Sequence, residues 1–405
     1  MKTVRMVQAT PTMKAMRGRI ALQKHCVRRV AKSSSYFAGA WEVRALQRAA
    51  LTILFLVLAM GLCAEELPRK AKTARETYPG ADVIYDSVTT RDGKRLRTII
   101  TKPRNAKGKV PVIFVAGWLS CDSVEAPAGT KDESGLVFRG LAQLPEFALL
   151  RMDKQGVGDS EGICAETDFE SELAGYRAAF RALKNYDFLD TKSIYQLGIS
   201  YGGGFAPLIP ESDSEQAQVR GYISVGGWVK TWLEHMLEIE RRRFALMGKS
   251  PDEVNDRMKG ATTLYHEWLI NSRPVDDILK QQPQLADLWP EGKNHAHLYG
   301  RPPGFYQQLQ KLNLAAAWTR VKVPIYVLRG AFDWIMTRED CELITAYVNK
   351  NGDLASFYEI PNTGHTFQHY LSLADAFKGK SAPFDPKVIA LLADWLRNQA
   401  IMHED

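Results

Sequence analysis

Gly198-Ile199-Ser200-Tyr201-Gly202 decides how this chain is read. It follows the largely apolar run Ser193-Ile194-Tyr195-Gln196-Leu197 and precedes the small residues Gly203-Gly204-Phe205-Ala206-Pro207. A strand that runs into a Gly-flanked serine and then a helix holds the hydroxyl on a sharp turn. The glycines permit that turn and keep neighbouring side chains away from the oxygen. The helix start behind it favours developing negative charge. Alone, the pattern is weak, since a chain of this length yields roughly a tenth of a G-x-S-x-G by chance.

A second match, Gly158-Asp159-Ser160-Glu161-Gly162, competes with the first. Asp159 and Glu161 would oppose an anion at Ser160, and no helix-like run begins at Gly162. That segment reads as a glycine-rich turn after a strand.

Outward from Ser200, apolar runs alternate with helix-like stretches. Strands are expected over 83–89, 95–101, 110–115, 148–152, 193–199, 221–225, 324–328 and 356–360. Asp92-Gly93 reads as a hairpin turn between the first two. Helices are expected over 135–144, 169–183, 203–209, 338–349 and 386–399. Such alternation predicts an α/β fold with a mostly parallel sheet covered by helices on both faces. The rhythm breaks between 225 and 324, where helix formers, charge and five of the nine Trp gather: Trp228, Trp232, Trp268, Trp289 and Trp318. An insertion there sits over the carboxyl ends of the strands, where ligands bind in such sheets. It is expected to be a helical cap inserted after strand six, with its tryptophans as cap core in preference to substrate wall. The division follows: a leader over 1–64, core over 65–227, cap over 228–320 and core again over 321–405.

Residues 1–64 hold eleven Lys and Arg against one Glu, a net +10, so the rest carries −3 of the chain's +7. The basic balance belongs to the leader and gives no support to nucleic-acid binding. Residues 49–62 are apolar but for one Thr, and Arg44 and Arg48 precede them. The run is short for a bilayer span and reads as an export signal cleaved near Ala64, with a retained membrane tether as the alternative. Bulky Leu62 disfavours Cys63 as a lipid-acceptor site. Residues 1–42 sit upstream of that signal, as they would if translation began near Val43. Of the five cysteines, Cys121 and Cys164 follow the third and fourth strands and fall near one rim of the sheet. They either form a disulfide in an exported protein or remain free thiols in neighbouring loops. No C-x-x-C pair exists, and nothing in the sequence asks for a metal or another cofactor.

A serine needs a base, an orienting acid and two N–H groups for the oxyanion. The seventh strand leads into Arg329-Gly330-Ala331-Phe332-Asp333, and the eighth into Pro361-Asn362-Thr363-Gly364-His365. The expected set is Ser200 as nucleophile, His365 as base and Asp333 as acid, in the chain order Ser, Asp, His. Tyr201 and Trp118 are the expected oxyanion donors. His295 and His297 form an H-x-H without a spaced acidic partner, and His235 and His266 fall on cap helices as solvated or core residues. His369 comes later in the loop than His365. Asp340 lies at a helix start, where capping is its expected role.

These motifs resemble the α/β-hydrolase superfamily of the capped esterase or peptidase type, over residues 83–397. Asp153-Lys154-Gln155-Gly156-Val157-Gly158-Asp159-Ser160-Glu161-Gly162 is similar to the loop after strand four in many members. Gly330-Ala331-Phe332-Asp333 and Gly364-His365 match the acid and base loops, while Ala116-Gly117 stands where members often carry His-Gly. The resemblance implies acyl transfer to water. A small-molecule ester is the expected substrate. A serine exopeptidase or amidase, and a non-catalytic tethered binding protein, are the rival readings. An exopeptidase needs an acidic cluster for a free amine, and Glu234, Glu238 and Glu240 instead read as a solvated helix face beside Arg241-Arg242-Arg243.

Overall fold

In the computed structural model, residues 66–401 are described; the leader with its apolar run lies outside them. Eight strands form one sheet: β1 (Ala81–Thr89), β2 (Arg95–Pro103), β3 (Val110–Ala116), β4 (Ala148–Met152), β5 (Leu189–Ile199), β6 (Val219–Val225), β7 (Ile325–Gly330) and β8 (Ala355–Ile360). Their order is β1-β2-β4-β3-β5-β6-β7-β8. β1 pairs antiparallel with β2, and β2 antiparallel with β4. All later pairings are parallel, as the alternation of strands and helices predicts. The β1–β2 turn is the expected hairpin, with Gly93 at φ 79° and its N–H donating to Thr90 O at 3.0 Å.

The two-residue period of a strand divides the core between the two faces of the sheet. Val112, Phe114 and Ala116 of β3 join one apolar cluster, and Ile113 and Val115 join the other. Phe169, Leu173, Tyr176 and Phe180 of the helix Phe169–Ala182 cover the first face. Val137, Phe138 and Leu141, with Val388, Leu392 and Leu396, cover the second. These i, i+3 and i+4 spacings give each helix one apolar stripe, and each fully buried side chain contributes about 1.5–3 kcal/mol.

Between β6 and β7 the chain forms helices Trp232–Leu246, Pro251–Tyr265, Val275–Gln281, Pro303–Gln310 and Leu314–Thr319. Capping boxes start the first two, Thr231 with Glu234 and Ser250 with Glu253. All five tryptophans of the segment are buried. Trp268 stacks edge-on with Trp289 at 5.0 Å and lies 5.3 Å from Tyr306. Two others tie the segment to the core, Trp228 Nε1 donating to Tyr201 O and Trp318 Nε1 to Gly204 O, both at 3.0 Å. Glu240 departs from the expected solvated face: it is buried, bonded to Arg243 and the Tyr265 hydroxyl. Among the described residues no helix is long and apolar enough to cross a membrane.

Candidate active site

β5 ends at Ile199 and the helix Tyr201–Phe205 begins two residues on, so Ser200 alone makes the turn. It does so at φ 58° and ψ −126°, a conformation that residues with a Cβ rarely adopt. Its N–H donates to Val225 O at 2.8 Å, and its carbonyl accepts from Gly203 N at 2.8 Å. The flanking glycines are required by contact. A Cβ on Gly198 would lie 2.5 Å from Gly202 O, and one on Gly202 would collide with the carbonyl oxygens of Ala116 and Gly117.

The loops after β7 and β8 bring the other two expected residues to this point. His365 Nε2 lies 3.0 Å from Ser200 Oγ, and His365 Nδ1 lies 2.7 Å from Asp333 Oδ2. Asp333 is 2% exposed, and its Oδ1 accepts from the N–H groups of Ile335 (2.8 Å) and Met336 (2.9 Å). Burial raises the Asp333 pKa, but the imidazole of His365, the charge of Arg329 and the Met336 N–H outweigh it and hold it below the usual value. Burial lowers the His365 pKa, but the Asp333 carboxylate outweighs it, leaving the imidazole above its ordinary value. The pair therefore favours an ionised carboxylate beside an imidazole that readily takes a proton.

Ser160 is elsewhere. It is fully buried, donates from Oγ to Asp153 O at 2.9 Å and accepts from Arg97 N at 2.8 Å. Arg97 in turn binds Asp153, Asp159 and Glu125. The second G-x-S-x-G is thus a structural turn that pins β2 to the loop after β4. His295 bonds Asp276 and Gly292 O, away from this site. Asp340 does not cap its helix; Thr337 does, and Asp340 instead accepts from the N–H groups of Val229 and Lys230. Among the described residues, no group of three or more His, Cys, Asp or Glu side chains is arranged to hold a metal ion.

The loop after β3 is held by charges buried beneath it. Gly117 N donates to Tyr176 Oη at 3.0 Å. Lys154 Nζ donates to Trp118 O and, at 2.9 Å, to Ser120 O. Arg301, from the segment between β6 and β7, donates to Leu119 O at 3.0 Å and to Cys164 O at 3.3 Å. Glu172 joins them: it pairs with Arg301, accepts from the Tyr201 hydroxyl and lies 3.5 Å from Lys154. Burial lowers the Lys154 pKa to about 8 against the pull of Glu172. Cys121 and Cys164 form a disulfide, so the far end of the loop is also tethered. Among the described residues, no protein acceptor takes the backbone N–H of Tyr201 or Trp118. Lys154, Glu172 and Arg301 escape a sequence reading. Only Lys154, a lysine two residues after a buried strand, leaves a local signal.

A cavity of about 470 Å³ opens beside Ser200 and His365. Trp118 and Met336 of the core and Trp232, His235, Met236 and Ile239 of the helical segment line it. A wider surface cleft of about 1010 Å³, lined by Arg177, Leu208, Arg220 and Arg320, holds none of these residues.

No protein-family model and no curated protein matches the sequence. Solved structures do resemble it in shape. A hypothetical protein of Pseudomonas aeruginosa superposes with a TM-score of 0.50 at 13% identity, over 83% of this chain and 99% of that one. Est1E of Butyrivibrio proteoclasticus with bound ferulic acid gives 0.48 at 15%, over 78% and 99%. The α/β hydrolase GrgF of Penicillium sp. sh18 gives 0.47 at 14%, over 78% and 99%. At such identities the likeness bears on the fold alone. With eight strands in the order given, β2 antiparallel between β1 and β4, and helices on both faces, the chain has the fold of the α/β-hydrolase superfamily.

Proposed function

We propose that this protein is a serine hydrolase that cleaves carboxylic esters through an acyl-enzyme. One observation carries the reading: His365 lies within hydrogen-bond reach of Ser200 Oγ on one side and Asp333 Oδ2 on the other. In the proposed reaction His365 Nε2 takes the proton of Ser200 as Oγ attacks the ester carbonyl. The N–H groups of Tyr201 and Trp118 receive the oxyanion. His365 then gives its proton to the leaving alcohol, and the acyl group stays on Ser200. A water, deprotonated by the same imidazole, attacks the acyl-enzyme, and His365 returns the proton to Ser200. Asp333 keeps Nδ1 protonated and stabilises the imidazolium.

The mainly apolar chamber supports an ester with uncharged acyl and alcohol groups. Of the acidic residues, Asp122 and Asp132 line it, the first accepting from the Ser120 hydroxyl and the second capping the helix Glu133–Leu141, while Glu240 is committed to Arg243 and Tyr265. We assign the helical segment between β6 and β7 the role of a cap over the site, and we place the protein outside the reducing cytosol. The Cys121–Cys164 bridge supports that location. The deciding experiment compares p-nitrophenyl esters with aminoacyl anilides on the purified protein, together with fluorophosphonate labelling of Ser200. Faster anilide turnover would reassign it as a peptidase. Folded protein that neither labels nor hydrolyses would leave only a binding role.

A further inference from the structure

Of the four residues that the helix Trp232–Leu246 gives to the chamber wall, Trp232, His235, Met236 and Ile239, one breaks the apolar pattern. His235 lies one helical turn after Trp232 and is 2% exposed. Its Nδ1 is sealed from solvent and has no hydrogen-bond partner. The Trp232 indole, with ring centroids 4.7 Å apart, has an equally unpartnered Nε1. Because His235 lines the cavity and Nδ1 is sealed, Nε2 is the nitrogen that opens onto the chamber. Asp340, Arg242, Asp333 and His365 surround the ring electrostatically, and burial dominates them, lowering its pKa to about 4. The ring is therefore neutral near pH 7 and carries one proton. A buried N–H without an acceptor is costlier than a bare ring lone pair. The proton accordingly resides on Nε2, directed at the space where substrate would lie. The reaction proposed above makes no use of it, since His365 handles both proton transfers.

We propose that His235 sets substrate choice, its Nε2–H donating to an oxygen carried by the group lodged in the chamber. This inference rests on the ester-hydrolase reading and narrows it. The substrate class is a medium-sized, mostly apolar ester with one oxygen acceptor (an ether, carbonyl or hydroxyl) beyond the scissile bond. A plain hydrocarbon group strips water from the N–H and returns nothing, whereas an acceptor replaces the lost hydrogen bond.

The test uses the full chain and matched pairs of esters. In each pair one ether oxygen replaces a methylene, at successive positions along the acyl chain of p-nitrophenyl esters and along the alcohol chain of acetate esters. Rates are normalised to alkaline hydrolysis. At one position or more, kcat/KM should favour the ether by about tenfold or more. His235→Phe should bring that ratio towards one, and His235→Gln, which keeps an N–H donor, should retain part of it. Fluorophosphonate labelling of Ser200 reports whether each variant is folded at the site. A wild-type ratio near one at every position of both series overturns the proposal without needing any variant. An unchanged ratio in labelled His235→Phe does the same. Failure of the ester reading looks different: no ester of either kind is hydrolysed and wild-type Ser200 is not labelled, and this inference falls with it.

Discussion

Replacing Lys154 by Met tests whether buried charge beneath the loop after β3 sets the rate. The Lys154 ammonium donates to Trp118 O and Ser120 O and faces Glu172 at 3.5 Å. Methionine fills the space of the stem but leaves both carbonyls without that donor. Each stranded acceptor costs roughly 1–3 kcal/mol. Glu172 keeps Arg301 and the Tyr201 hydroxyl, so only part of the ~3–5 kcal/mol penalty for an orphaned buried charge applies. A stability loss of about 4 kcal/mol is expected, from two carbonyls at mid-range with little added from Glu172. The kinetic effect should be more selective. Freeing the peptide after Trp118 loosens the aim of the Trp118 N–H, and losing one oxyanion donor costs on the order of 10²–10³ in kcat. The part of the chamber wall built from Trp232, His235, Met236 and Ile239 is untouched, so KM should move less than kcat. The assay is p-nitrophenyl butanoate hydrolysis, with kcat and KM resolved separately, beside urea unfolding. Folded Lys154→Met with wild-type kcat would refute the reasoning, because the loop would then hold its shape without its cation.

Further outcomes follow from the same geometry. Ser200→Ala should abolish ester turnover while keeping a cooperative thermal melt; retained hydrolysis would reject Ser200 as nucleophile. The rising limb of kcat/KM against pH should have its midpoint above the ordinary histidine value of about 6.5, because His365 must lose its proton to act and Asp333 holds that proton more tightly. Asp333→Asn should move that midpoint down and lower kcat by about 10⁴. Ser160→Ala should cost about 1–3 kcal/mol in chemical unfolding through its bonds to Asp153 and Arg97, with kcat/KM unchanged. Cys121→Ser opens a bridge spanning 43 residues and should cost about 4 kcal/mol by the loop-entropy relation, read by the same unfolding assay.

The strands and the convergence of Ser200, Asp333 and His365 were the legible part of this chain, and for a common reason. A buried strand such as Ala148–Met152 is written in contiguous apolar residues, and both of its ends match the expectation. Ser200, Asp333 and His365 each follow such a strand, so strand order alone carries them to one rim. Short helices such as Val275–Gln281 and Leu314–Thr319 offer too few turns for a periodic signal and escape notice. Partnership across long separations escapes for another reason. Glu172 and Arg301 read as ordinary charged residues, and only folding brings them together in a buried pair 129 positions apart. Asp340 shows a local rule overridden, since Thr337 takes the cap and frees the carboxylate to brace Val229.

The left-handed backbone of Ser200 has a consequence for anyone who engineers this protein. Holding a residue with a Cβ at φ 58° costs on the order of 1–3 kcal/mol, from which glycine is largely exempt. Ser200→Gly should therefore melt higher than the natural chain while losing the proposed nucleophile. A screen for hardier variants, scored on melting temperature alone, would be drawn to a substitution that removes the hydroxyl on which the proposed activity depends.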